Sequence, residues 1–396
     1  MTDRLPAAEW TKRADLAALV SALGGRQQAR YVGGAVRDTL LGIAVKDIDL
    51  ATPLVPQEVI ARLKDAGIRT VPTGIEHGTV TALLSDGPVE ITTLRRDVST
   101  DGRRATVAFA TDWREDAARR DFTINALYAD PITGELFDWF GGRDDLARRC
   151  IRFIGDARQR IREDHLRVLR YFRFQARFGS QPADTEAETA CTELAATLKG
   201  LSRERIGMET MNLLGLPNPA PTVARMAELG VLTQVLPEAD VAALARLVAE
   251  ERRQGVSADP LRRLAALLPA DVTAAEKVAA RFRLSGAQKK RLVTAAGRTI
   301  VASAASAASD ARALAYRLGR EAATDRLLLC GESIAPLEGW DIPCFPLKGG
   351  QILAAGIASG PDIARILQAV ETRWIAEGFP GEDRVAAMLA EYLPAT

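Results

Sequence analysis

Apolar and polar positions along the first 140 residues switch between two periods, and the switching predicts a mixed α and β unit. Residues 16–23 carry apolar side chains at helical spacing, Arg30-Tyr31-Val32 runs as a strand into a Gly33-Gly34 turn, and residues 35–40 return to helical spacing. Residues 45–50 then alternate, with Val45, Asp47 and Asp49 on one face and Lys46, Ile48 and Leu50 on the other, the period of a strand covered on one side. Residues 79–84 and 89–94 read as further strands, and Ser85-Asp86-Gly87-Pro88 between them predicts a hairpin. Beyond Gly141-Gly142 no strand pattern follows. Arg, Leu and Ala at helical spacing run nearly to the end, broken at Gly200, 217–221, Gly255 and 343–350. The expected fold class is α+β, a mixed-sheet domain followed by an all-α remainder. The Ala/Ser stretch at 299–310 suits a helix or a connection equally.

A length of 396 residues adds the expectation of two or three domains, and 47% hydrophobic with 26% charged residues is a globular composition. No apolar run reaches the roughly 18 residues of a membrane span, and Asp3, Arg4 and Glu9 near the start do not read as a secretory signal. Cys150, Cys191, Cys330 and Cys344 form no CxxC pair, which argues against a disulfide framework or zinc ribbon and for a cytoplasmic protein. With two histidines, His77 and His165, any metal should be held by oxygen. The net charge of +1 hides a local excess, since residues 143–177 hold eleven arginines against five acids and form a candidate anion-binding stripe.

Four stretches carry candidate chemistry. Asp47-Ile48-Asp49 would place two carboxylates on one strand face, able to share divalent cations, whereas an isolated DxD is more often a solvated acidic face. Glu90, with Thr92 on its side of a later strand, offers a third carboxylate. Gly33-Gly34-Ala35-Val36-Arg37-Asp38 pairs a glycine turn with a helix start and a fixed positive charge, the elements of a phosphate cradle. In Arg119-Arg120-Asp121-Phe122-Thr123-Ile124-Asn125, Arg120 could meet phosphate while Asp121 and Asn125 hold a ribose, or Asp121 and Thr123 could simply cap a helix. In 163–174, read as one helix, Asp164 and Arg167 are neighbours three residues apart, with Arg170 and Arg173 one step further each time. An accepting Asp164 beside a donating Arg167 would fit the edges of cytosine and adenine and would leave charge unsatisfied against uracil or guanine. A surface ion pair with snorkelling arginines is the plainer alternative.

Taken in order, these stretches resemble the bacterial class II tRNA nucleotidyltransferases, the CCA-adding enzymes, which are related to poly(A) polymerases and to the DNA polymerase beta superfamily. The resemblance runs from about residue 31 to 178 through GGAVRDTLLGIAVKDIDL (33–50), GIEHGTVT (74–81), VEITTLR (89–95), RRDFTINALY (119–128), DWFGGRDDL (138–146) and EDHLRVLRYFRF (163–174). It implies that Asp47 and Asp49 ligate magnesium and that Gly34, with Gly33 beside it, and Arg37 contact CTP or ATP. Arg120, Asp164, Arg167, Arg170 and Arg173 would complete the nucleotide site, Asp121 and its neighbours would recognise ribose, and 138–146 would form a hinge. Glu90 as a third catalytic carboxylate is a placement from the strand pattern alone. The segment 95–109, with Asp101-Gly102-Arg103-Arg104, resembles the flexible loop of enzymes that add all three nucleotides, and 68–72 leading into GIEHGTVT lacks the basic-aromatic signature of poly(A) polymerases.

The resemblance implies a nucleotidyltransferase head at 1–140, a helical neck reading the base at 141–200, an RNA-binding body at 201–320 and a tRNA-binding tail at 321–396. Its partners would be tRNA, CTP and ATP, its cofactor Mg2+, and Arg281, Arg283, Lys289, Lys290, Arg291 and Lys348 candidate phosphate contacts. The alternatives are a poly(A) polymerase of the same superfamily, which would extend with ATP alone, and a non-catalytic RNA-binding module, which would not need the acids. The scarcity of histidine predicts no attached His-Asp phosphohydrolase activity.

Overall fold

The computed structural model describes residues 3–101, 104–298, 307–357 and 360–393. The chain divides into two compact units, Met1–Pro237 and Glu238–Thr396.

The first unit is built on a seven-stranded sheet in the order β3-β4-β5-β2-β1-β8-β9. Its strands are β1 (Arg30–Val32), β2 (Ile48–Thr52), β3 (Arg69–Gly74), β4 (Thr79–Leu84), β5 (Gly87–Thr93), β8 (Tyr128–Ala129) and β9 (Leu136–Phe137). All neighbours are antiparallel except β2 and β5, which run parallel with Asp49 opposite Glu90. The expected hairpin is present, with Leu84 facing Gly87 across Ser85-Asp86. The strand expected from residue 45 begins only at Ile48, so Asp47 sits exposed just ahead of it.

The stretch 95–109, expected as a flexible loop, is instead a second two-stranded sheet of β6 (Arg95–Asp101) and β7 (Arg104–Phe109). Gly102 and Arg103 of its expected tip lie outside the described residues. The base of this hairpin is tied to the main sheet, because Leu94 N–H donates to Thr52 O and Ala110 N–H to Leu94 O. Val32, Ala51, Leu94, Ala110, Ala126 and Tyr128 pack into one apolar cluster there.

Helices α1 (Ala14–Leu23), α2 (Gly34–Leu40), α3 (Pro56–Asp65) and α4 (Trp113–Ala118) accompany the sheet. From Gly142 onward helices take over, beginning with α5 (Gly142–Arg148), α6 (Ala157–Glu163), α7 (Arg167–Phe178), α8 (Thr185–Glu193) and α9 (Arg203–Leu214). On α7 the apolar stripe Val168, Leu169, Tyr171, Phe172, Phe174 and Phe178 is buried, while Arg170 and Arg173 lie over the Phe174 ring and Arg177 over that of Phe178. Tyr171 stacks on Phe153, and Phe122 packs against both Phe153 and Phe174, so this stripe binds the helix to the end of the sheet.

The second unit is helical throughout its described residues, with most of its helices between Val241 and Leu329 and a further group from Gly349 to Ala390. Trp374, Val370, Ile366, Val385 and Met388 form the core of that last group. In the larger group Glu251, Arg262, Arg263 and Asp325 are almost completely buried and paired with one another. Residues 299–306 of the Ala/Ser stretch lie outside the described residues, and a helix starts at Ala307.

Among the described residues no helix is long and apolar enough to cross a membrane.

Candidate active site

Strand alternation sets the first wall of the site. On β5 Val89 and Ile91 face the core while Glu90 and Thr92 face outward, and the parallel register sets Asp49 directly beside Glu90. Burial and the neighbouring charges of Glu90 and Asp47 push the Asp49 carboxyl up to about 6, against the opposing pull of Arg120. Asp49, Glu90 and Thr92 line a cleft of about 340 Å³ together with Val32, Arg95, Arg119, Arg120, Asp121, Asp164, Arg167 and Arg170. Of the expected residues, Asp49, Glu90, Arg120, Asp121, Asp164, Arg167 and Arg170 therefore open onto one space, while Asp47 is not part of its wall.

The glycine turn behaves as the sequence predicts. Gly33 has φ +67°, where a side chain is strained, and its N–H donates to Leu127 O at 3.0 Å. A Cβ on Gly33 would lie 3.2 Å from Arg120 Nη1, and one on Gly34 would lie 3.7 Å from Arg37 Nη2. Two guanidinium groups thus crowd a backbone turn at a helix start, a setting suited to an anionic group.

The expected pair Asp164 and Arg167 does not share a helix. α6 ends at Glu163, Asp164 is extended at φ −148°, and α7 begins at Arg167, so the two flank a helix-helix turn. Asp164 Oδ1 accepts from Leu166 N–H at 3.1 Å and Oδ2 accepts from Arg205 Nη2 of α9 at 2.8 Å. Arg167 donates to Glu163 Oε2 at 2.7 Å, Arg160 O at 2.8 Å and Arg119 O at 3.3 Å. Arg167 N–H donates to Asp164 O at 3.0 Å, but the two side chains are each held by their own partners and not by one another, so both reach the cleft already oriented.

Other expected contacts are corrected. Arg37 is 6% exposed, donates to Asp38 Oδ1 and Asn125 Oδ1, and lies over the Phe178 ring at 4.2 Å. Its guanidinium is held inside the fold, because α2 turns this position toward Phe178 of α7. Asp121 accepts from Phe122 N–H and Asn125 Nδ2 on one oxygen and from Arg170 on the other, and Asn125 is spent between Asp121 and Arg37. Asn125 thus links Asp121 to Arg37 inside the fold, while Asp121 itself also lines the cleft. Arg173 pairs with Glu209 at 2.6 Å, and Glu209 is 4% exposed, so this arginine joins α7 to α9 and is absent from the cleft wall. The arginine stripe as a whole is largely neutralised from within, with Arg143, Arg148, Arg152, Arg158, Arg160 and Arg177 each in an ion pair.

In the second unit Arg281 pairs with Glu238 and Lys289 with Glu276, while Arg291 meets Asp259, Glu321 and Asp325.

Sequence reasoning missed Asp116, Glu163, Glu209 and Arg205 as organisers of the site. Glu163 opens a stretch already singled out, Asp116 stands at helical spacing before Arg119 and Arg120, and Arg205 lies on the next helix but one, whereas Glu209 reveals itself only through a tertiary contact.

Among the described residues no three His, Cys, Asp or Glu side chains gather into a ready-made metal site. Asp47 and Asp49 fit a magnesium ion that takes one or two carboxylates and completes its shell with water and phosphate. The raised Asp49 carboxyl, crowded by like charges, marks a place where a cation would relieve repulsion.

Residues 29–152 match the family model described as the Poly A polymerase head domain, and 184–242 match one described as a probable RNA and SrmB-binding site of polymerase A. The chain is 37% identical over 370 residues to the mitochondrial CCA tRNA nucleotidyltransferase 1 of Homo sapiens, covering 90% of this chain and 84% of that one. It is 40% identical over 205 residues to the CCA-adding enzyme of Geobacillus stearothermophilus, covering 51% and 49%. Among solved structures, a Bacillus stearothermophilus CCA-adding enzyme in complex with CTP superposes with a TM-score of 0.73 at 26% identity, covering 96% of this chain and 98% of that one.

Proposed function

This chain belongs to the CCA tRNA nucleotidyltransferase family, and we propose on that premise that it adds C, C and A in turn to the 3′ end of tRNA, using CTP and ATP and releasing pyrophosphate. The observation that carries the reading is the single cleft onto which the paired acids Asp49 and Glu90, the arginines Arg119 and Arg120, and the base-reading Asp164 and Arg167 all open. A non-catalytic RNA-binding module has no use for that juxtaposition. A poly(A) polymerase would share the acids, and the near full-length identity to CCA tRNA nucleotidyltransferases favours the CCA reaction.

In this reading Asp47 and Asp49 hold Mg2+, which when bound supplies activation of the attacking 3′ oxygen and charge neutralisation on the triphosphate. Glu90 adds negative charge beside Asp49 and strengthens the pull on a cation. Arg120 and Arg119 receive the phosphates at the Gly33-Gly34 turn. Asp164 stays an acceptor because Leu166 N–H and Arg205 already donate to it, so it takes the exocyclic amino group of cytosine or adenine. Arg167, steadied by Glu163, donates to the ring nitrogen beside that group. Uracil and guanine present a carbonyl to Asp164 and an N–H to Arg167, so acceptor would face acceptor and donor would face donor.

We divide the chain into a head at 1–140, a neck at 141–200, a body at 201–320 and a tail at 321–396, with 138–146 as a hinge. The helical remainder grips tRNA through phosphates, with Arg283, Lys290 and Lys348 as contacts. A reducing compartment such as the cytoplasm suits the four free cysteines. The experiment that tests the reading is Asp49→Ala: incorporation on tRNA should fall by about four orders of magnitude while tRNA affinity stays within about twofold. Turnover near wild type would defeat the metal assignment.

A further inference from the structure

One buried carboxylate beside the cleft has no part in the reaction as described. Asp116, on α4, is 1% exposed, and both of its oxygens are fully occupied. Oδ1 accepts from Arg119 Nε at 2.8 Å and from the main-chain N–H of Arg95 at 3.1 Å. Oδ2 accepts from the Tyr128 hydroxyl at 2.5 Å and from Arg120 Nη2 at 3.3 Å. The Tyr128 oxygen in turn accepts from Arg120 Nε at 3.1 Å, and the Arg120 guanidinium lies 5.3 Å from the Tyr128 ring centre.

Four donors on two oxygens leave Asp116 no capacity for a ligand. Three of the four come from the cleft wall, which Arg95, Arg119 and Arg120 all line. Arg95 is also the first residue of the β6 strand, so the same carboxylate pins the base of the hairpin. Burial would by itself push the Asp116 carboxyl up, but Arg120, Arg119 and the Tyr128 hydroxyl bring it down to about 2, so the anchor is charged at neutral pH.

We propose that Asp116 is a positioning residue for triphosphate binding: it fixes Arg119 and Arg120 at the phosphate end of the cleft and ties them to the root of the β6-β7 hairpin. The inference rests on the nucleotidyl-transfer reading above. A freed Arg120 has Asp49 and Glu90 as alternative partners in the same cleft, and an arginine folded onto those acids faces the phosphates no longer. Asp116 and the Tyr128 hydroxyl hold Arg120 on its own side. Removing the carboxylate adds net positive charge to the cleft, which taken alone would tighten anion binding, so a loss of affinity on neutralising Asp116 is a signature of lost geometry.

The test compares CTP with CMP, which lacks the outer phosphates, by isothermal titration on the full chain, using wild type, Asp116→Asn and Tyr128→Phe. For Asp116→Asn the CTP dissociation constant should rise about tenfold, the equivalent of one charge-assisted contact. CMP affinity should stay within about twofold, and Tyr128→Phe should show a smaller loss with the same CTP selectivity. Tyr128→Phe keeps the proposal testable should Asp116→Asn fail to fold. Unchanged or tighter CTP binding in both variants overturns the positioning role, as does an equal loss for CTP and CMP. A wild-type protein that binds neither nucleotide overturns the nucleotidyl-transfer reading itself and not merely the role of Asp116.

Discussion

Arg37 and Arg173 show what a residue type can and cannot announce. Both are cations in the right motifs, yet Arg37 is buried against Asp38, Asn125 and Phe178, and Arg173 is bound to Glu209. Arg173→Ala should therefore cost stability, roughly 2 kcal/mol, because the buried Glu209 keeps only its longer pairing with Arg170 at 3.6 Å, while the KM for CTP changes by less than about twofold. Urea unfolding and steady-state kinetics on the same preparation separate the two, and a large KM change at unchanged stability would return Arg173 to the nucleotide site. The shared face of Asp49 and Glu90, by contrast, is legible in the amino-acid pattern, because strand alternation is local and fixes which side chains point the same way. Asp116 is only half legible there: Arg119 and Arg120 follow it at the three- and four-residue spacing of a helix, whereas the Arg95 N–H and the Tyr128 hydroxyl reach it through the tertiary fold.

At the scale of elements, the strand, glycine turn and helix at the start, the β4-β5 hairpin and the loss of strands after Gly142 all follow from patterning and turn chemistry that the chain displays openly. The segment 95–109 does not, because its residues lack the apolar alternation of a buried strand and pair only with each other. Spacing alone places Asp164 and Arg167 on one helix, whereas a break after Glu163 sets them around a turn; continuous helical spacing conceals a short interruption that tertiary contacts such as Arg205 stabilise. Where α5 begins, packing is unusually close: a Cβ at Gly142 would lie 2.2 Å from Thr123 O and 3.1 Å from Leu127 Cδ2. Gly142→Ala should thus destabilise the first unit by roughly 2 kcal/mol, since backbone has to move to admit one methyl group. A thermal midpoint equal to wild type would show that α5 shifts freely there.

For the whole molecule, composition and helical periodicity are enough to predict a mixed head and a helical remainder, but the division at Pro237 falls inside the stretch expected as a single body. Helix periodicity does not mark where one core ends and the next begins, because that depends on which apolar faces meet. Charge on the whole-molecule scale is likewise rearranged by folding: an arginine excess expected to face a ligand is mostly paired internally. Asp116 is one acid paired with arginine in this way. Its folded value of about 2 lies below the ordinary 3.8, so its contribution is fully present above about pH 4 and is lost as pH falls through 2. The difference in urea stability between wild type and Asp116→Asn should shrink by about 2 kcal/mol between pH 5 and pH 2, and a gap that is independent of pH would contradict the ion-pair account.

The central claim is that one cleft selects C and A and stops after three additions. It is tested most directly by incubating the purified protein and Mg2+ with tRNA lacking its 3′ CCA, given CTP alone, ATP alone or both, and reading product length on a sequencing gel. The account predicts two added residues from CTP, three from the mixture and no extended ladder from ATP. A long ladder from ATP alone, or no extension under any condition, would contradict it.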